Sequence, residues 1–536
     1  MDGSQRLTLV AAITATFVVG VDATVVNVAL PSIARDLGGG LAGQQWVVNA
    51  YLLLLGSLVL LGGSLGDLFG ERRVFRIGVA GFGVVSGLCA LAPSIEALVA
   101  CRALQGVFGA LLTPAALALI VAAFPPEQRG GAIGTWTAWS GIATVIGPLA
   151  GGQLVDSTSW RVIFALNVPI VLVALALAAR IPAPAASRPH APLDGLAAAL
   201  AAFGLAGPTF GLVEQPRLGW GDPAVWGSIA GGLALLGAFV AWEARHPEPM
   251  LPLGLFRQRN FSLGNLQTLV MYAGLGVVFF FLVIYLQQVA GYSALQSGLA
   301  TLPSTVVMFT LSRRFGALAD RYGPRLFMGV GPLVGAAGLL LLQRLDAHLD
   351  YLRDLLPALT VFSLGLAITV APLTATVLSA ADEHNAGVAS AVNNAVARVG
   401  GLLATAAVGA VVASQFGAAL EHELAGRPLS PAAQRVVHGA QTRTLGRLSA
   451  PGQAPAERAL LARASEDAST HAFHVGMGIA AGLVAAGGLL GLAGIRDPRR
   501  RPVRARECPG GALVSHPLDA ARPRPRPQPG RERVAA

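Results

Sequence analysis

Fourteen apolar stretches, each at least 18 residues long and nearly free of charge, run through this chain at 7–30, 45–65, 74–92, 97–121, 131–154, 162–181, 194–214, 224–242, 264–288, 297–316, 325–343, 353–378, 386–413 and 472–495. A helix of that length reaches across a hydrocarbon layer of about 30 Å. Lipid offers the backbone no water to bond, so each stretch has to satisfy its own N–H and C=O groups, which an α-helix does. Charged residues make up 12% of the 536 positions, about half the roughly 25% of soluble domains. The 66 glycines suit close helix contact in a membrane. The expected class is an all-α polytopic membrane protein of 14 transmembrane helices. The first stretch reads as a span rather than a cleaved signal, because it is long, contains Asp22 and has no small-residue cleavage site after it.

A ten-residue pattern occurs twice where apolar stretches end. Gly63 to Arg72 and Gly316 to Arg325 both fit G-x-x-x-D-x-x-G-x-R, with every matched position offset by 253. Matching places in the hydropathy pattern point to two related halves, as in transporters built from repeats. Six spans with short loops need about 200 residues. The excess of about 50 fits one inserted helical pair, the seventh and eighth stretches. The expected organisation is a six-helix bundle over 1–181, a linker with two inserted helices over 182–260, and a second six-helix bundle over 261–495 that contains an outer loop at 414–471. Residues 496–536, with eleven arginines and four acids, read as a disordered cytoplasmic tail able to touch anionic lipid. Fourteen arginines fall in the loops on the N-terminal side before the last span. The short loops on the other side hold only Arg35, Arg161, Arg217, Arg344 and Arg353. The positive-inside bias then places both termini in the cytoplasm, in a plasma (inner) membrane. The same bias accounts for the basic surface without nucleic acid.

Cys89, Cys101 and Cys508 show no metal or disulfide spacing, and the nine histidines are scattered. No cofactor or metal is expected. No nucleophile–base pair or phosphate loop suggests an enzyme. The informative groups are charges inside spans, which cost about 2.5–3.5 kcal/mol each on insertion scales. They are Asp22, Arg102 and Arg398. Asp22 lies about 12 Å and Arg102 roughly 9 Å below the same surface, so the two can pair. That pair reads either as a proton-exchanging carboxylate beside its counterion or as a static lock between helices.

The stretch Asp22-Ala-Thr-Val-Val-Asn27-Val-Ala-Leu-Pro31 resembles a first-span signature of the major facilitator superfamily, and within it of the 14-span drug:proton antiporters (EmrB/QacA-type). Gly63, Asp67, Gly70, Arg72 and Arg73, with their counterparts Gly316, Asp320, Arg321, Gly323 and Arg325, are similar to its gating loops. Arg102-Ala-Leu-Gln105-Gly106-Val-Phe-Gly109 is similar to its span 4 motif. Gly141, Gly147, Pro148, Gly151 and Gly152 resemble its span 5 antiporter motif, and Trp160-Arg-Val-Ile-Phe164-Ala-Leu-Asn167-Val-Pro169 a segment opening span 6. The chain departs from the family at Val21 and at Leu68, and it lacks an acid in spans 9, 10 and 13.

The resemblance implies two pseudo-symmetric six-helix bundles plus two inserted helices. It also implies Asp22 as the proton-linked group with Arg102 beside it, and export of a hydrophobic or amphipathic small molecule against entering protons. The missing acids favour neutral, monocationic or amphipathic substrates over dications. Asn27, Trp46, Tyr51, Tyr272, Tyr285, Asn393, Asn394 and Arg398 are the expected cavity groups. The partners are the substrate, protons and the bilayer, and the expected state is a monomer. The alternatives are an importer or lipid/metabolite carrier of the same fold, and a non-transporting receptor or scaffold.

Overall fold

The computed structural model describes residues 1–181, 194–247, 249–381, 386–440, 445–446, 448 and 454–497, apart from the side chains of 60, 67, 126, 127, 386 and 387. Residues 182–193 of the expected linker and the tail beyond 497 lie outside the described residues, as does the Asp67 side chain.

The first half contains α1 (Gly3–Leu37), α2 (Gly40–Phe69), α3 (Glu71–Ala90), α4 (Ile95–Ala123), α5 (Pro126–Ser157), α6 (Arg161–Ala165) and α7 (Asn167–Ala179). Next come α8 (Gly195–Leu218) and α9 (Pro223–Glu243). The second half contains α10 (Arg259–Gln288), α11 (Ala294–Tyr322), α12 (Pro324–Leu341), α13 (Leu356–Ser379), α14 (Ala386–Leu424), α15 (Pro431–Ala440) and α16 (Pro455–Gly494). Among the described residues twelve helices are long and apolar enough to cross a membrane, with α6 and α7 counted as one. Helices α2 and α5, of 30 and 32 residues, also exceed the bilayer at about 1.5 Å per residue.

The ends of the helices follow from local chemistry. Asp2 with Gln5 and Ser293 with Gln296 form capping boxes that start α1 and α11. Gly70 and Gly323 end α2 and α11 at φ of 90° and 96°, a backbone region that penalises any β-carbon. That is why both copies of the repeat carry glycine at this point. The expected sixth span is broken between Ala165 and Asn167. Pro169 lacks the N–H that would bond the Ala165 carbonyl, and its ring crowds that oxygen.

The two halves pack alike. Helix α1 lies against α5 and α7, α2 against α4, and α3 against α4 and α7. Correspondingly, α10 lies against α14 and α16, α11 against α13, and α12 against α13 and α16. The halves meet where α5 packs on α11 and α2 on α14. The inserted pair α8 and α9 pack on each other, with α8 resting on both α2 and α14.

Much of the expected outer loop at 414–471 is helical. Helix α14 runs 39 residues to Leu424 and α16 starts at Pro455 and runs 40. Each is about 60 Å long and projects well beyond a bilayer. Hydropathy registers the apolar part alone, whereas alanine-rich polar sequence continues a helix equally well.

Candidate functional site

Four helices converge on Asp22, which stands on α1 and is fully buried. Arg102 of α4 is 1% exposed and approaches Asp22 Oδ2 at 2.5 Å through Nη1. The other oxygen, Oδ1, accepts from Gln105 Nε2 and Asn167 Nδ2, each at 3.1 Å. Ser86 of α3 completes the group, accepting from Gln105 at 2.8 Å and Asn167 at 3.3 Å. Arg102 is held further by its Nε donating to the Val47 carbonyl at 3.1 Å and by Gln105 Oε1 at 2.6 Å from its Nη1. Its guanidinium lies over the Tyr51 ring, 4.2 Å from the centroid, a cation–π contact. Chain spacing explains the convergence. Arg102 and Gln105 are three apart, so one face of α4 presents both, and α7 begins at Asn167 because the chain breaks beside it. Removing either partner would leave the other charge buried without its counterion, so the pair ties α1 firmly to α4.

A cavity of 1960 Å³ opens between the halves. It is larger than the roughly 300–1,000 Å³ of typical small-molecule sites. Its lining runs from Gly70, Arg72, Arg73 and Arg129 at the N-terminal face to Gly20, Val59, Ser140 and Arg398 in depth. The opposite face is shut. Gln45 donates to the Thr405 carbonyl at 2.7 Å and Gln287 to the Val28 carbonyl at 2.9 Å, each crossing from one half to the other. Asp156 at the end of α5 accepts from the N–H groups of Ala294 and Leu295 at 3.0 and 2.8 Å, where the α11 dipole favours a carboxylate. A β-carbon at Gly152 would meet Leu295 Cα at 2.6 Å. One at Gly147 or Gly151 would overlap Thr24 or Val25 of α1. Glycine at these places lets α5 touch α1 on one side and α11 on the other. Gly141 faces Phe309 of α11, and Pro148 packs against Gly298 through its carbonyl.

Below the shut surface, Asp36 takes Arg161 and Trp160 as donors. Those two bonds pin the start of α6 to the end of α1.

The repeated loops reveal a shared device. Arg72 Nη2 donates to the Ala179 carbonyl at 2.8 Å, and Arg325 Nε to the Leu492 carbonyl at 2.7 Å. Each arginine therefore caps the C-terminal end of the last helix of its own half, where a cation is favoured. Arg321 lies over the Tyr322 ring at 5.4 Å, Arg73 and Asp320 are exposed, and Gly63 and Gly316 lie near Pro114 and Ala371.

Of the expected cavity groups, Asn394 and Arg398 line the cavity. The others are placed differently. Tyr285 is stacked on Phe473, with ring centroids 4.2 Å apart, and its hydroxyl pairs with Thr470 at 3.2 Å, so it belongs to the second bundle's core. Trp46 donates to Glu214 Oε1 at 3.0 Å and packs on Phe210 of α8. It anchors the inserted pair. Tyr51 is buried beneath Arg102. Asn393 is satisfied by Asn265 and Thr268 of α10 at 3.1 and 2.8 Å, and Asn27 and Tyr272 are half-buried outside the cavity lining. We expect Tyr285→Phe and Trp46→Phe to leave substrate affinity within about twofold, as removal of groups remote from a ligand should; equilibrium binding checks this.

Residues 12–405 match the family described as Major Facilitator Superfamily. The chain belongs to the Major Facilitator Superfamily. Two relatives fall within it. A tetracenomycin C resistance and export protein of Streptomyces glaucescens is 37% identical over 76% of this chain and 76% of its own length. The puromycin resistance protein pur8 of Streptomyces alboniger is 39% identical over 80% of this chain and 86% of its own. The fold agrees with a bacterial homologue of the human lysosomal transporter Spinster, at a TM-score of 0.64 and 17% identity over 92% of this chain and 98% of that one. The chain is a multi-pass membrane transporter and not an enzyme.

Sequence reasoning missed Ser86, Trp136 and Asp156. Ser86 is a lone hydroxyl in an apolar helix and carries no pattern. Trp136, which donates to Thr16 at 2.9 Å and lines the cavity, looks like an interface anchor. Asp156 had a readable signal, since it follows Gly152 by one helical turn on the same face.

Proposed function

We propose that this chain exports hydrophobic or amphipathic small molecules, antibiotics among them, in exchange for protons, by alternating access. The observation that carries the reading is the sealed Asp22 network on α1, the same helix that packs on α5 beside its contact with α11. A charge change at Asp22 is thereby mechanically adjacent to the surface that must open. The resistance and export roles in the relatives' names support the direction of transport.

In the proposed cycle the N-terminal face is cytoplasmic, as the arginine bias favours, and fourteen spans cross a plasma (inner) membrane with both termini inside. A single chain holds both halves, and a monomer suffices. Substrate enters the cavity from the cytoplasm or inner leaflet. With the opposite face open, Asp22 takes a proton and substrate leaves. Neutral Asp22 releases Arg102 from its counterion, and the network regains its charge pair when the proton escapes inward. The loop residues Gly70, Arg72, Gly323 and Arg325 close the cytoplasmic mouth. A proton crossing 100 mV supplies about 2.3 kcal/mol, roughly a 50-fold concentration ratio for a neutral substrate.

The test is tolerance to a panel of toxic compounds in an efflux-deficient bacterial host, together with uptake into inverted membrane vesicles driven by an imposed pH gradient. We expect tolerance to some members and gradient-dependent uptake that a protonophore collapses. Uptake that runs with the proton gradient in the opposite sense would replace export by import, and gradient-independent binding alone would point to a receptor.

A further inference from the structure

The deepest charged group of the cavity is Arg398, and the family assignment leaves it without a role. It stands twelve residues beyond the start of α14 at Ala386, about 18 Å along the helix axis at roughly 1.5 Å per residue. That is near the middle of a hydrocarbon layer of about 30 Å, beyond the reach of an arginine snorkelling to the surface. Its stem lies against Gly56 of α2, where a β-carbon would sit 3.5 Å from Arg398 Cβ, so its position is fixed across the junction of the halves. Its guanidinium has no hydrogen bond or ion pair among the described residues. The charged neighbours on the α2 side are Asp22 and Arg102, which cancel each other beyond Tyr51.

Most other charged groups of the lining have the same sign. Arg72, Arg73, Arg76 and Arg129 surround the mouth, and Glu71 is the one carboxylate among the described lining residues. The mouth arginines belong to loops and helix ends, where the positive-inside bias already accounts for them. Arg398 has no such account. An arginine held at the midplane of a cavity costs free energy unless something pairs with it. Its planar fork of donors matches a carboxylate in two parallel hydrogen bonds. The basic mouth raises the local concentration of anions on the way in.

We propose that the substrates of this transporter carry an acidic group, a carboxylate or an ionised phenol on an apolar body, and that Arg398 receives that group. Among the neutral, monocationic or amphipathic substrates that the sequence favours over dications, this selects amphipathic acids. It rests on the export reading only in calling the ligand a substrate, since binding needs no coupling.

The test uses the purified full-length protein in lipid nanodiscs at pH 7.5, with three probes of one shape: anthraquinone-2-carboxylate, its methyl ester, and 2-(aminomethyl)anthraquinone. Equilibrium dialysis gives each affinity. The carboxylate is expected to bind at least about tenfold more tightly than the ester, the scale of one charge-assisted pair, with the amine weakest. Arg398→Gln should bring the carboxylate down to the ester's affinity and leave the ester unchanged, which also reports that the variant is folded. Arg398→Lys should keep part of the preference. Equal affinities in the unaltered protein, or a preference for the amine, would overturn the proposal whatever the variants do. So would a carboxylate preference that survives in Arg398→Gln and disappears in Arg73→Gln/Arg76→Gln, since the mouth would then be its source. Vesicle uptake separates the two readings. Gradient-driven uptake of compounds without an acid preference keeps export and rejects this site. An acid preference without uptake keeps the site and rejects export.

Discussion

Asp22→Asn is expected to abolish uphill export, because an amide cannot exchange the proton that drives the proposed cycle. It should also destabilise the protein. Arg102, 1% exposed, would lose its counterion inside the bundle, and breaking a buried pair by removing one partner costs about 3–5 kcal/mol. These two effects are separable. In the double variant Asp22→Asn/Arg102→Met the stranded charge is gone, and replacing a whole buried pair by neutral groups is often close to neutral for stability. The double variant should therefore regain the thermal melting temperature of the unaltered protein in detergent and still fail to accumulate substrate in vesicles. Gradient-driven accumulation restored in the double variant would reduce the pair to a lock between α1 and α4, and the proton site would have to be sought elsewhere.

The second large effect is expected at Gly152, through conformation rather than chemistry. A β-carbon there meets Leu295 Cα at 2.6 Å and the Ala294 carbonyl at 2.8 Å, both backbone atoms that cannot swing aside. Gly152→Val then forces α5 and α11 apart on the shut face. Overpacking of this kind costs about 1–3 kcal/mol, and a cost confined to one of two states shifts their ratio by about 5- to 150-fold. Ala391 lines the cavity, so a cysteine placed there reports on that side. In a background freed of native cysteines, Ala391→Cys should react with a membrane-impermeant maleimide more slowly by that factor once Gly152→Val is added. Transport should be lost as well, because one state is favoured too strongly for the cycle to turn. An unchanged labelling rate would show that the α5–α11 contact is not what holds the face shut. Gly130→Ala, at a glycine with open space around it, is the matched control and should change neither quantity.

Much of this molecule is legible in its sequence alone. The apolar stretches locate the helices, because an uncharged run in lipid has essentially one way to satisfy its backbone. The repeat announces two related halves, and Gly70 and Gly323 mark turns that do require a left-handed backbone. The Asp22, Arg102, Gln105 and Asn167 side chains all lie in motif-like strings of the sequence. Their meeting is still a tertiary fact, since they come from α1, α4 and α7. Ser86, the fifth member, carries no signal.

The expected cavity residues that lie outside its lining share one cause. Hydropathy reports the depth of Tyr285 and Trp46 in the membrane but not the direction they face. Successive residues on a helix turn by about 100°, so a helix buried on several sides leaves each side chain a choice of neighbours that hydropathy cannot resolve. Tyr285 turns to Phe473 and Trp46 to the inserted pair, while Arg398 turns to the cavity. The lengths of α14 and α16 escape the sequence for a related reason: hydropathy ends with the lipid, and helix propensity does not.

By itself the sequence determined the class of fold, the order of the spans, the duplicated plan and the residues that must carry charge inside the membrane. These follow from local conditions: backbone satisfaction, turn geometry and the cost of a buried ion. Which face was open, which charge was paired and which lined the cavity were decided only by the packing of the two halves. Those properties depend on distances between helices far apart in the sequence, set by glycine contacts such as Gly152 against Leu295.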